Sequence, residues 1–483
     1  MEPDDGHECF GFFAGFGSIS IFPKIFYCRD DFRFGEELEM QQEENMELTQ
    51  KYLNCFGAMS SLIADRTKEK KYIALGLASN LDLICEFDIA ILNQMIDQYL
   101  PDADLTKMKA FRFISSMEEL VETFVYYCLH GLGGEAEIEN ADLIEKHFKW
   151  NHAIGGTGVQ AAMALAELGC KSVNHLTDDS KEVCQVLASP YVFVVDQKGM
   201  LTSTMEAQQL QKQEIHYVIQ FRKGEVLQSD EQAFEIPASN RLIVVKMTVN
   251  KIVPFYEPYF RFIENNAKQI TSHVISSFNE ISDLQILDQR LEYLGNHVIK
   301  YRQANPRGIV FFEEAHYHND CARVFCMEKL YPKVDIVSMN EEELVHISKM
   351  HDMVVEIENI VSCVEALQKI REICGVQKGM VVHTKDYAMY VGNPLEIDME
   401  AGLIYGNMIA AAKAMHGSYG TKEQIAKLLE LEFSATGLRK YCDLQNSRYA
   451  AKAVLVPSKY MDKPPFTIGL GDSFTAGLQL CFT

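Results

Sequence analysis

Short apolar runs alternate with helical patterns along most of this 483-residue chain, and several of the runs end in polar side chains. Residues 72–79 lead into Asn80 and Asp82. Residues 309–312 lead into Glu313 and Glu314, and residues 334–338 into Asn340 and Glu343. Residues 380–383 end at His383 and Thr384. Helical patterns such as 89–100, 117–129 and 360–373 lie between runs of this kind. This rhythm predicts an α/β fold around a largely parallel, doubly wound sheet. In such a sheet the carboxyl ends of the strands share one edge, so the polar groups there can converge on one crevice. Each has a plainer reading too, since Asn and Asp are common turn residues.

Near the C-terminus stands TIGLGDSFTAG (467–477). Gly469 and Gly471 precede Asp472, and an apolar helical run follows. A glycine turn that opens a helix presents bare N–H groups and the positive end of the helix dipole at one point, which suits an anion. A carboxylate in that first turn can act as base on a hydroxyl held beside the anion. An ordinary loop-to-helix turn is the alternative.

A second glycine turn, AIGGTG (153–158), opens an alanine-rich helix, with Gly169 as its expected C-cap. No GK[ST] follows, so it is not a Walker A loop. Gly156 to Ala161 fits the looser GxGxxA form, but the polar stretch before it is a poor strand. Close helix packing alone explains the segment. Residues 215–221 and 241–249 read as strands, and residues 388–391 pair with 380–383 across the Lys385–Asp386 turn.

The net charge of −23 argues against nucleic-acid or anionic-membrane surfaces, because nothing offsets phosphate repulsion. The 13 cysteines show no CxxC pair and read as reduced thiols of a cytoplasmic protein. Residues 10–27 are rich in Phe, Ile and Gly. Glu2, Asp4 and Asp5 precede them where a signal peptide carries Lys or Arg, so the segment is expected to be a strand pair or an extension. The acidic stretch 36–47 reads as a solvated helix or linker.

Phosphoryl transfer needs a base facing the acceptor hydroxyl, donors around the moving phosphate, and Mg²⁺ against its charge. Asp472, the amides of Gly469, Leu470 and Gly471, and the pair Glu313 and Glu343 supply such a set. One or two carboxylates acting through water suffice for Mg²⁺. Glu341 and Glu342 read more simply as a solvated helix start. Arg241 suits a phosphate or is a surface arginine, and His216 alone reads as a core histidine.

The order of motifs resembles that of the ADP-dependent sugar kinases, the glucokinase/phosphofructokinase branch of the ribokinase-like superfamily. The matching segments are ALGLASNLD (74–82), IGG (154–156), IHYVIQF (215–221) and ASNRLI (238–243). They continue with FFEEA (311–315), MNEEEL (339–344), VHTKDYAMYV (382–391), VPSKYMDKPP (456–465) and TIGLGDSFTAG, over roughly residues 70 to 483. The resemblance implies a three-layer α/β/α sandwich with a smaller discontinuous α/β lid. Residues 1–48 would be an N-terminal extension. The large domain would take 49–84, 151–204 and 246–483, and the lid 85–150 and 205–245. It also implies ADP as donor, Mg²⁺ as cofactor and Asp472 as base. Asn80, Asp82, Gly155, Gly156 and His216 would contact the sugar, and Arg241 the ADP phosphates. Asn340 would support the metal acids. His383, Thr384, Val454 and Pro457 would border the nucleotide. Small molecules are then the expected partners of a monomer or small homo-oligomer.

Three departures stand out: Gln220 where the family has an acid, Phe311 where a histidine precedes the metal acid, and Thr157–Gly158 after the double glycine. Glu135 could bond a free sugar hydroxyl but would repel a 6-phosphate, which favours glucose over fructose 6-phosphate. Arg222 and Lys223 could still bind a phosphate. The competing readings are an ATP-dependent sugar or nucleoside kinase of the same superfamily, and a catalytically silent sugar-sensing protein.

Overall fold

The computed structural model describes residues 29–207, 213–229, 232–246, 248–317, 319–461 and 464–483, with side chains from residue 44 onward. The expected strand pair within 10–27 lies outside the described residues. Residues 1–47 and 48–483 form two units. In the first, the acidic stretch 36–47 is helical. The second holds every β-strand described below.

Ten strands make the larger sheet. Seven of them run parallel, in the order Gly379–His383, Ile336–Asn340, Ile309–Glu313, Ile270–Ile275, Tyr72–Leu75, Ser172–Asn174, Val192–Val195. Antiparallel strands finish both edges: Leu201–Ser203 on one side, Tyr387–Gly392 and then Ala453–Pro457 on the other. Strand order runs outward in both directions from Tyr72–Leu75, so right-handed crossovers place helices on both faces. One helical group joins Thr157–Glu167, Leu470–Leu478 and Met399–His416, and the other joins Glu257–Asn265, Leu284–Ala304 and Asp320–Lys329. The expected doubly wound sheet and the 380–391 hairpin are both present. The central strands are almost wholly buried, as a sheet covered on both faces requires, and Ile270–Ile275 buries Thr271, Ser272 and His273 among its apolar residues.

A second sheet has six strands, in the order Phe113–Ile114, Gly134–Ile138, Asn240–Lys246, Ile215–Phe221, Asn80–Cys85, Trp150–Gly155. Two sequence readings are corrected here. The apolar run 72–79 is not one strand, since its strand ends at Leu75 and Asn80–Cys85 belongs to the other sheet. The chain leaves the large sheet at Gly76, where the Gly158 backbone packs so closely that a Cβ on Gly158 would lie 2.8 Å from the Gly76 nitrogen. The polar stretch before Gly156 is also a strand, Trp150–Gly155, paired antiparallel with Asn80–Cys85. Its polar residues sit on an edge with one exposed side, where polarity is no bar to pairing.

No described helix is long and apolar enough to cross a membrane. No disulfide joins any two of the 11 described cysteines.

The helix Leu470–Leu478 is set by its contact with Met399–His416. A Cβ on Gly402 would come 2.6 Å from the Cys481 sulfur, and one on Gly406 would come 2.6 Å from the Phe474 ring. Replacing Gly406 by Val must therefore push the two helices apart. It is expected to lower stability by about 1–3 kcal/mol, read as a lower urea midpoint at unchanged slope.

Candidate active site

Gly469 is the N-cap of Leu470–Leu478 and has φ +69°, a conformation that favours glycine. A side chain there would also strike Gln160, whose Oε1 would lie 2.1 Å from the Cβ. No side chain caps the helix, and its first internal bond runs from the Ser473 amide to the Gly469 carbonyl at 3.0 Å. The amides of Leu470, Gly471 and Asp472 therefore have no partner within the helix.

Asp472 is partly buried in this first turn. Burial pushes its carboxyl up to about 6, with Glu313 and Asp82 acting in the same direction, while a hydrogen bond from Thr157 and the charge of Lys413 work against the rise. An acid poised there is ionised at neutral pH yet basic enough to accept a proton.

Glu313 ends its strand buried, with both oxygens engaged. Oε1 lies 3.0 Å from His383 Nε2, and Oε2 accepts from the Thr475 hydroxyl at 2.8 Å. Thr475 is one turn beyond Asp472, so Glu313 ties the strand end to that helix. The His383 ring packs on Phe474, centroids 4.9 Å apart. Burial opposes charge on His383, but the bond to Glu313 and the charges of Glu313, Glu343 and Glu341 outweigh it and raise its pKa.

Asn340 and Glu343 form a reciprocal capping box, each accepting from the other's amide at 2.9 Å. The Asn340 oxygen is thus spent on the helix Glu341–Met350. Burial first, and then the neighbouring Glu314, pushes the Glu343 carboxyl up to about 7. Glu314 itself is buried against the Tyr331 hydroxyl and lies 3.6 Å from Arg323. Among the described residues no three His, Cys, Asp or Glu side chains form a metal-holding group. A cation held by Glu313 and Glu343 would meet two acids and would keep most of its ligands as water. Their crowded negative charge is the kind a cation would relieve.

The second sheet carries the other predicted residues. Asn80 and Asp82 are buried, and the Asn80 amide donates to Asp82 Oδ1 at 2.6 Å. Gly155 pairs with Asn80, and a Cβ on it would meet Asn80 Nδ2 at 2.2 Å and Asp82 Oδ1 at 2.4 Å. Gly156, with φ +101°, lies against the Ala78 carbonyl in the same way, at 2.4 Å. His216 is the lateral neighbour of Asp82, its Nδ1 3.9 Å from Asp82 Oδ1 and its Nε2 3.8 Å from Glu214 Oε1. Burial opposes charge on this imidazole, but Glu214, Asp82 and Glu280 together raise it to about 9.

Arg241 pairs with Gln220, and Val245 with His216. Four residues along a strand return to the same face, so Arg241 shares the His216 face about 13 Å away. Glu135 pairs with Ile243 on that face too. Thr384 uses its hydroxyl in the hairpin turn, accepting from the amides of Asp386 and Tyr387. Val454 and Pro457 lie on the outermost strand, where the Pro457 carbonyl accepts from the Tyr52 hydroxyl at 2.6 Å.

The structure thus gathers Asp472, the glycine turn, Glu313, Glu343 and His383 at one end of the large sheet, with Asp82 close enough to act on Asp472. Sequence reading missed Thr157, Gln160, Glu214, Glu314, Lys413 and Tyr419. For Lys413 a signal was present: it is the one charged residue in the stretch 401–415. Two departures find a physical account. Phe311 is wholly buried near Phe482, and the imidazole beside Glu313 comes instead from His383, two strands away. Thr157 is the neighbour that most holds down the Asp472 carboxyl against the rise that burial causes.

A doubly wound sheet, a second sheet bearing buried polar groups, and an acid in an uncapped glycine turn are the arrangement that comparisons with known proteins match to the sugar-kinase class. Residues 71–480 match the family model described as the ADP-specific phosphofructokinase/glucokinase conserved region. The chain belongs to that family. The ADP-specific phosphofructokinase of Pyrococcus furiosus is 22% identical over 436 residues, covering 84% of this chain and 95% of the relative. The ADP-dependent glucose/glucosamine kinase of Pyrococcus abyssi is 20% identical over 431 residues, covering 84% and 93%. A solved ADP-dependent kinase complex with fructose-6-phosphate and ADPβS superposes with a TM-score of 0.68 at 18% identity, covering 90% of this chain and 98% of that one. The protein is an ADP-dependent sugar kinase.

His216 yields a prediction that needs no substrate. Its pKa stands at about 9 in the fold against 6.5 unfolded, so the stability it contributes is present below pH 6.5 and lost as pH rises through about 9. His216→Gln is expected to lose less stability than the wild type between these limits, measured as urea midpoints along a pH series.

Proposed function

We propose that the protein transfers the terminal phosphoryl group of ADP to a hydroxyl of a neutral hexose of the glucose type, leaving AMP. Asp472 takes the proton from the acceptor hydroxyl. The amides of the Gly469–Leu470–Gly471 turn, with that of Asp472, hold the phosphate in flight. The single observation that carries the reading is Asp472 itself: a carboxylate raised to about 6, at the mouth of an uncapped helix N-terminus, facing Asp82 of the second sheet.

Asn80, Asp82 and Gly155 offer hydroxyl-bonding groups, and His216 is the charged donor beside them. Glu214 stands behind His216, and Glu135 is another acid on its face. A site so rich in carboxylates favours hydroxyl donors over a second phosphate, which is why glucose is preferred to fructose 6-phosphate. Arg241, on the same face but about 13 Å further along the strand, suits the ADP phosphates. Glu313 and Glu343 would hold Mg²⁺ through water, and the cation would offset the charge of the phosphoryl group. His383, Thr384, Val454 and Pro457 would border the nucleotide. The second sheet would act as a lid whose closure excludes water, so that the phosphoryl group reaches the sugar and not solvent.

The test is a panel of glucose, fructose 6-phosphate and ribose, each with ADP and with ATP, in Mg²⁺. Turnover of glucose with ADP is expected. Turnover with ATP alone would remove the donor assignment, and preference for fructose 6-phosphate would remove the acceptor assignment. Asp472→Asn is expected to lower kcat by about 10²–10⁴-fold with little change in nucleotide binding. Full activity in that variant would refute the mechanism.

A further inference from the structure

Met399–His416 contains one lysine, Lys413, and its position is fixed by the helix packing. Gly402 and Gly406 touch the end and middle of the catalytic helix through Cys481 and Phe474. Lys413 lies eleven and seven residues further on, which returns it to within about 20° of the same stripe at 100° per residue. The two helices run antiparallel, since Gly402 meets residue 481, Gly406 meets residue 474, and the Ala414 carbonyl accepts from the Phe466 amide at 3.2 Å. The stripe therefore delivers Lys413 to the amino end of the catalytic helix, where Gly469–Asp472 sits.

The ammonium is held over the Tyr419 ring, 3.8 Å from its centroid. Burial lowers its pKa, and the two acids that act against that loss are Asp472 and Asp82. Among the described residues neither of these acids comes within ion-pairing distance of it. A half-buried lysine thus faces the proposed base and a proposed sugar ligand, with space left between the three charges. The base is also faced by Glu313 from the large sheet, Asp82 from the second sheet and the neutral Thr157 from its own helix. Lys413 is the cation that acts on Asp472, while His216 sits behind Asp82 on the second sheet.

We propose that Lys413 is a catalytic residue that binds an oxygen of the phosphoryl group in transit and keeps Asp472 ionised until the acceptor hydroxyl gives up its proton. This rests on the hexose-kinase reading above. In the step itself the hydroxyl proton passes to Asp472, and the acceptor oxygen bonds the terminal phosphorus of ADP. The bond from that phosphorus to the bridging oxygen breaks, and its electron pair leaves on AMP. Lys413 keeps its proton throughout. Its charge opposes the repulsion that Asp82, Asp472 and Glu313 would otherwise exert on an incoming phosphoryl group.

The experiment compares Lys413→Met, Lys413→Gln and Lys413→Arg with the wild type, measuring kcat, both KM values and the pH profile, with a melting curve for each. Met and Gln are expected to lower kcat by about 10²–10³-fold, as for other lost transition-state donors, with sugar and ADP KM values nearly unchanged. The acid limb of kcat/KM is expected to move to higher pH, and Arg is expected to recover at least about tenfold over Met. Two outcomes would overturn the proposal. One is a kcat near that of the wild type in a folded Met or Gln variant. The other is a loss that follows melting temperature alone, equal in Arg and Met. A wild type inactive with every ADP–hexose pair would instead remove the function on which the proposal rests.

Discussion

The site depends on two helix backbones touching. Gly402 and Gly406 on one helix and Gly477 on the other have no side chains. A Cβ on Gly477 would lie 2.4 Å from the Tyr405 carbonyl oxygen. With that approach made, Thr475 reaches Glu313 and Phe474 packs on His383. The amino end of the helix then falls at the carboxyl edge of the parallel strands, where crossovers always leave a crevice. Bulk at any of these glycines would shift the turn before it touched a functional group. Catalysis is sensitive to displacements of that kind, since misplacing reacting groups by about 1 Å costs on the order of 10²-fold in rate.

Buried acids separate the framework from the site. Asp335 is buried more deeply than Asp82 or Glu343, yet it is met by Arg302 at 3.2 Å, Lys378 at 3.3 Å and the Val310 amide at 2.7 Å. Those partners make it a structural acid, holding one strand to the next. Glu343 and Asp472 have no ion pair of that kind and Asp82 has only His216 at 3.9 Å, and burial raises all three. A fold that only needed stability would pair them or do without them. Charge left unbalanced beside uncapped amides is what an anionic substrate and its cation would complete.

Groups carried by a contiguous signature were legible in the sequence. Asp472 follows its glycines directly, and Glu313 and Glu343 follow their strands. Periodicity sees both patterns because the chemistry and the local structure share a few neighbouring residues. Sheet membership was not legible. The run 72–79 is apolar throughout, and nothing within it marks that the chain leaves one sheet at Gly76 and enters another at Asn80. Thr157, Gln160 and Lys413 were missed for a related reason: they reach Asp472 or its turn only through helix packing between segments far apart in the sequence. The histidine beside Glu313 makes the same point. The position expected to supply it is Phe311, facing the core, and the imidazole arrives from His383 on a strand two places along the sheet.

The division between two sheets bears on how such a site works. Asp472 and Glu313 belong to the large sheet and its helices, whereas Asp82 and His216 belong to the second sheet. Two of the crossings between them lie at 76–79 and at 155–157, so Gly76, Gly155, Gly156 and Thr157 all lie at crossings, and Thr157 acts on Asp472. These two crossings are short, which keeps Asp82 near enough to raise the Asp472 carboxyl even without substrate. Movement of the second sheet about these crossings would therefore alter the charge around the base as well as access to it. Withdrawing Asp82 would let Asp472 fall back toward an ordinary carboxylate. Approach would raise it again, so that its basicity would be greatest when an acceptor hydroxyl is enclosed between them.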